Sequence, residues 1–183
     1  MTLSNIAASW MATIALMTNL VSDAGAASST WHDLGGGKGR IVALVDPATS
    51  QLNGALEIQL EPGWSTYWRH PGSSGIPPVL DFSGSIGLRV AGVEFAVPQL
   101  LESGEARYAG YKRSVLFPFS GHIEDRAGAV VKLDLLIGVC EDVCIPARAS
   151  LEIDGAELLL SDPLAKRVLT LASLHLPEKW PAS

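Results

Sequence analysis

The stretch VVKLDLLIGVCEDVCIPARASLEIDG, residues 130–155, decides the reading of this chain. VVKLDLLIGV is a short apolar strand candidate that runs directly into Cys140, and ARASLEIDG is a second, alternating one. Between them stand the only two cysteines of the protein, Cys140 and Cys144, separated by Glu141, Asp142 and Val143. A disulfide needs its Cα atoms within about 7 Å, whereas four residues of extended chain span roughly 13 Å. The sulfurs can therefore meet only if the three intervening residues form a turn or bulge. Pro146 limits continuation of a helix or ladder after Ile145.

Outward from this segment the same short periods recur. RIVALVD at 40–46 is β-branched and ends at Asp46-Pro47. LNGALEIQLE at 52–61 alternates, with Leu56, Ile58 and Leu60 on one face and Glu57, Gln59 and Glu61 on the other. GWSTYWRHPGSSGIPPVLDFSG is an aromatic entry into a Pro/Gly-rich turn system, and its Trp64, Tyr67 and Trp68 read as core packing. GLRVAGVEFAVP, a loop at 102–110 and YKRSVLFPFSGHI follow, with Pro118 expected at an edge or bulge. Seven or eight short strands with turn signals between them predict an all-β sandwich or barrel. Residues 161–183 differ. Ser161 or Asp162 can cap a helix with Pro163 in its first turn, and Leu164, Val168 and Leu171 share one side.

The organisation expected is a signal peptide at 1–26, a flexible segment at 27–39, a sandwich at 40–160, and a helix and tail at 161–183. Residues 6–21 are mostly apolar, no Lys or Arg precedes Lys38, and Ala24-Gly25-Ala26 offers a cleavage site. No other apolar run reaches 18 residues, so the mature chain carries no spanning segment. With 48% hydrophobic and 17% charged residues the chain has the composition of a globular domain. The net charge of -6 argues against general nucleic-acid binding. GGGKG lacks the phosphate-loop pattern. Ser114, His122 and Asp125 have no nucleophile-elbow context, so a hydrolase is not indicated.

Export widens the reading of the cysteines, because an oxidising compartment permits a disulfide, structural or exchanging. A bridge across so short a loop adds little chain-entropy stabilisation. Two thiolates are too few for a closed zinc centre, although they can hold Cu(I), with His70 and His122 as the only potential helpers. Structural, metal-binding and exchanging pairs all remain open on the residues alone. No cofactor is expected.

Two segments, GWSTYWRHPGSSGIPP at 63–78 and GVCEDVCIPARASL at 138–151, resemble the N-terminal periplasmic domain of DsbD-type thiol:disulfide interchange proteins and of ScsB-like copper-tolerance proteins. RYAGYKRSVLFPF resembles the region that supplies an aromatic cap in that family. The likeness covers roughly residues 30–155. It implies an immunoglobulin-like β-sandwich with a short C-terminal helix, acting in the periplasm as a component of thiol:disulfide interchange. Cys140 and Cys144 would be the exchanging pair, Tyr108, Tyr111 and Phe117 the cap candidates, and Ile145 and Pro146 an apolar docking edge beside Cys144. The implied partners are a thioredoxin-like domain or DsbD/ScsB-type membrane electron donor and a periplasmic thiol–disulfide client. The best-known members place five residues between their cysteines, whereas three stand here. Ending at Ser183, the chain is expected to act as a separate module. The alternatives are a binding or assembly module with a structural disulfide, and a Cu(I)-handling protein.

Overall fold

Period-two alternation of apolar residues builds two antiparallel sheets whose inner faces meet. The computed structural model describes residues 27–158 except 73–74, 104–105 and 127, together with 163–174 and 176. The first sheet contains β1 (His32–Asp33), β2 (Gly37–Val45), β3 (Gln51–Leu60), β9 (Ser114–Ile123) and β6 (Leu88–Val93), in the order β1-β2-β3-β9-β6. The second contains β11 (Cys144–Asp154), β10 (Val130–Cys140), β4 (Ser65–Tyr67), β8 (Ala106–Lys112) and β7 (Gln99–Ser103), in the order β11-β10-β4-β8-β7. β5 (Val79–Asp81) pairs with β10 beside this path.

This is the immunoglobulin-like sandwich expected, with a C-terminal helix. Its core is the odd-numbered face of β10, Val131, Leu133, Leu135, Ile137 and Val139, packed against Ile41, Leu52, Leu56, Ile58, Phe117 and Phe119. Trp64 and Trp68 pack partly buried on the same core. Phe117 is fully buried, with its ring centroid 5.1 Å from that of Phe95 and 5.5 Å from that of Tyr111. Tyr111 donates a 2.7 Å hydrogen bond to the Ala96 carbonyl, and burial raises its phenol well above the ordinary range.

α2 (Pro163–Leu174) lies against β2, β3 and β9. Val42 and Ala55 are buried yet stand outside the main core, out of phase with their core neighbours Ile41 and Leu56, so the helix covers the outer face of this sheet. Its buried residues are Ala165 and Ala172, two turns apart, while Leu164 and Leu171 are about half exposed. The packed face is thus rotated from the leucine face expected, because small side chains let helix and sheet approach closely. α1 (Gly155–Leu158) is a single turn after β11.

Other expectations are revised by pairing. Residues 27–39 are not a free segment: Ser28 bridges to Val42, β1 pairs with β2, and Ala27 and Leu34 are buried. The expected loop at 102–110 is largely strand, with Leu101 opposite Tyr108 and Glu102 opposite Arg107. Burial of Leu101 and Tyr108 drives that pairing, since the exposed Arg107–Glu102 ion pair contributes little. Pro118 sits on an interior strand, and the bulge falls on its neighbour β6 between Val90 and Gly92. The signal segment and the cap residues Ser161 and Asp162 lie outside the described residues. Among the described residues no helix is long and apolar enough to cross a membrane.

Phe117→Ala should destabilise the fold by about 3–5 kcal/mol. Urea titration should report this as a lower midpoint with an unchanged slope.

Candidate functional site

The alternation that sends Val139 into the core turns Cys140 to the opposite face of its sheet. β10 and β11 are antiparallel neighbours over their whole length, from Val130 opposite Asp154 to Cys140 opposite Cys144. The hairpin turns through Glu141, Asp142 and Val143, and the Glu141 N–H approaches the Val143 carbonyl at 3.4 Å. This is the turn the cysteine spacing demands. It brings the two Cα atoms to 4.0 Å, and the sulfurs are joined as a disulfide.

The two sulfur-bearing residues differ in access. Cys140 is 2% exposed, whereas Cys144 is an exposed residue at the hairpin tip. Cys140 belongs to a second buried cluster with Tyr67, Leu101 and Tyr108, on which Ile76 packs. β10, β4, β8 and β7 each contribute one of its four members. The Tyr67 and Tyr108 rings meet edge-on, with centroids 5.0 Å apart. Gly138 leaves room for this packing, because a Cβ there would stand 2.9 Å from Tyr67 Cδ2 and 3.1 Å from Ile76 Cβ.

Hydroxyl groups tie the cluster to the hairpin. Ser65 donates to the Cys140 carbonyl at 3.2 Å and Thr66 to the Gly138 carbonyl at 2.7 Å. The Ser65 hydroxyl has only one proton, so in its 2.8 Å contact with Tyr108 the tyrosine is the donor. Tyr67 Oη lies 2.9 Å from Cys144 Sγ, and a disulfide sulfur has no proton, so Tyr67 donates here as well. Burial, then the nearby Tyr108, raises the Tyr67 phenol above its ordinary range and keeps that donor protonated at neutral pH.

Of the aromatics expected over the sulfurs, Tyr108 lies with Cys140, while Tyr111 and Phe117 do not. Residues 108 and 111 are an odd interval apart on one strand, so they face opposite sides of the sheet. Phe117 belongs to the other sheet and fills the core. Ile145 and Pro146 follow Cys144 on β11, both exposed and opposite Val139 and Gly138. Tyr67 and Ser65 were not expected at the site. The sequence signal for them is phase: in Ser65-Thr66-Tyr67-Trp68, alternation turns Ser65 and Tyr67 away from Thr66 and Trp68. His70 packs edge-on against Trp68, and His122 lies on β9 in the other sheet. Among the described residues no group of three His, Cys, Asp or Glu side chains is placed to hold a metal ion.

Residues 40–154 match the sequence profile of a protein family described as thiol:disulfide interchange protein DsbD, N-terminal. No curated protein sequence matches the chain. Among solved structures, the N-terminal periplasmic domain of ScsB from Proteus mirabilis is similar, with a TM-score of 0.69 and 23% identity. The match covers 83% of this chain and 60% of that one.

In the reduced protein, iodoacetamide should modify Cys144 at least about tenfold faster than Cys140, because access limits the buried thiol. Peptide mapping after short exposure checks this, and equal labelling would contradict it. Tyr67→Phe removes a hydrogen bond to the Cys144 thiolate and should raise that thiol's pKa, read from the pH dependence of alkylation.

Proposed function

We propose, since the chain belongs to the family of DsbD-type thiol:disulfide interchange N-terminal domains, that it is a periplasmic module exchanging electrons through Cys140 and Cys144. The observation that carries this reading is the asymmetry of the pair: one exposed cysteine bonded to one buried beneath aromatic side chains. The electron donor is a thioredoxin-like domain or a DsbD/ScsB-type membrane protein, and the client is a periplasmic thiol–disulfide protein.

Access determines which sulfur is attacked. A partner thiolate reaches Cys144 Sγ and forms a new S–S bond while the Cys140–Cys144 bond breaks. Cys140 leaves with the bonding electron pair and takes up a proton. The second thiol of the partner, once deprotonated, attacks the mixed disulfide at the partner's own sulfur and releases Cys144, which also takes up a proton. Two electrons and two protons have then moved to this chain, and the partner has become a disulfide. The reverse sequence delivers them to the client.

Each neighbour has a part in this scheme. Tyr67 donates to Cys144 Sγ and so stabilises negative charge when Cys144 is released. Ser65 holds the Cys140 backbone by donating to its carbonyl, and Tyr108 in turn donates to the Ser65 hydroxyl. Leu101, Tyr108 and Ile76 keep water and small oxidants from Cys140. A purely structural bridge has less to do here, because the β10–β11 ladder already holds the hairpin.

The decisive measurement is the reduction potential against defined thiol buffers. An exchanging pair should lie above about -300 mV, and a lower value would identify a structural bridge. In addition, Cys140→Ala in exported protein should accumulate mixed disulfides through Cys144, and Cys144→Ala should accumulate far fewer. Covalent partners captured by neither variant would refute the relay.

A further inference from the structure

The hairpin tip presents a surface that the fold does not use. Val143 is 74% exposed and Ile145 43%, and they flank Cys144 on either side in sequence. An isolated exposed aliphatic residue is ordinary. Here Val143 stands in the turn immediately before Cys144, and Ile145, opposite Val139 and so on the other face of the strand, stands immediately after it, so both belong to the hairpin tip that carries the one sulfur a partner can reach. Glu141 and Asp142 precede Val143 in the turn, both exposed, and neither has an ion-pair partner among the described residues. Lys112 is in register with Ser65, and Ser65 with Cys140, which places this lysine two strands from the pair. At about 4.8 Å per strand the two backbones stand roughly 10 Å apart, and Lys112 forms no ion pair with Glu141 or Asp142. The hairpin tip that carries the accessible sulfur therefore presents two exposed aliphatic residues and two carboxylates without an ion-pair partner among the described residues.

From this we infer that the 141–145 tip is a selectivity surface for one chemical class of redox partner: a dithiol protein whose reactive cysteine lies beside an apolar groove with a cationic rim. The inference rests on the exchange reading above and goes beyond it by stating what the partner must present. Val143, in the turn beside Cys144, meets the groove as the sulfurs align. The carboxylates at the rim act mainly on encounter, drawing in cationic partners and slowing anionic ones.

Two synthetic dithiol peptides test this, sharing a Cys-Gly-Pro-Cys core and an apolar flank, one bearing two lysines and the other two glutamates. Reduction of the Cys140–Cys144 bond is followed for each peptide, with dithiothreitol as the uncharged control. The lysine peptide should react about fivefold faster at low ionic strength. The difference should vanish near about 0.5 M salt and in the E141Q/D142N variant. Val143→Ser should slow both peptides and leave dithiothreitol unaffected. Equal rates for the two peptides with the wild-type protein, or a preference that survives E141Q/D142N, would overturn the inference while leaving the exchange reading intact. Resistance of the bond to both peptides and to dithiothreitol would overturn both.

Discussion

The antiparallel register of β10 and β11 governs what the cysteine pair can be. Because Leu133 stands opposite Leu151 and Ile137 opposite Ala147, the ladder ends with Cys140 opposite Cys144. A one-residue slip would turn the buried face of β11 to solvent and carry the sulfurs out of register. The core residues Val131, Leu133, Ile137, Leu151 and Ile153 resist that slip, since each is buried to at least 97%. The hydrophobic core and the disulfide thus specify the same alignment, and the chemistry inherits its geometry from the packing.

The same sheet serves two purposes on its two faces. Its inner face completes the sandwich, and its outer face holds a small second cluster that exists only at one end of the strands. Tyr67 and Tyr108 reach that cluster from β4 and β8, whereas Trp68 and Tyr111, each an odd number of residues further on, pack on the main core. Thr66 and Ser65 show the division at single-residue resolution. Both are buried hydroxyls and both donate to β10 carbonyls, yet only Ser65 also meets a cluster tyrosine. A buried hydroxyl without such a partner would be costly, so these bonds fasten β4 to the cysteine end of β10 with little room for adjustment.

The likeness to the ScsB N-terminal domain extends over most of this chain but only 60% of that protein's, and at 23% identity it speaks for the fold alone. Family membership comes instead from the sequence profile, whose span ends at Asp154, the last residue of β11. The profile therefore covers the sandwich from within β2 to the end of β11, omitting β1, and stops before the helix. The alanine-faced α2 packs on the outer face of the other sheet, against strands that do not carry the cysteines. Its contribution is to cover Val42 and Ala55.

Much of this was legible in the residues themselves. Alternation and turn signals specify an all-β sandwich with a terminal helix, and the spacing of Cys140 and Cys144 demands a turn between them, because bond lengths and strand periodicity are local properties. Tertiary structure decided which face each aromatic took and what it touched. Tyr111 and Phe117 carry the same local signal as Tyr67 and Tyr108, yet the first two fill the core and the second two surround the sulfurs. That choice depends on strand order and register between segments as many as 73 residues apart, from Tyr67 to Cys140. Likewise, the burial of Cys140 and exposure of Cys144 follow from which side chains lie over the hairpin, and that is a property of the assembled sheets.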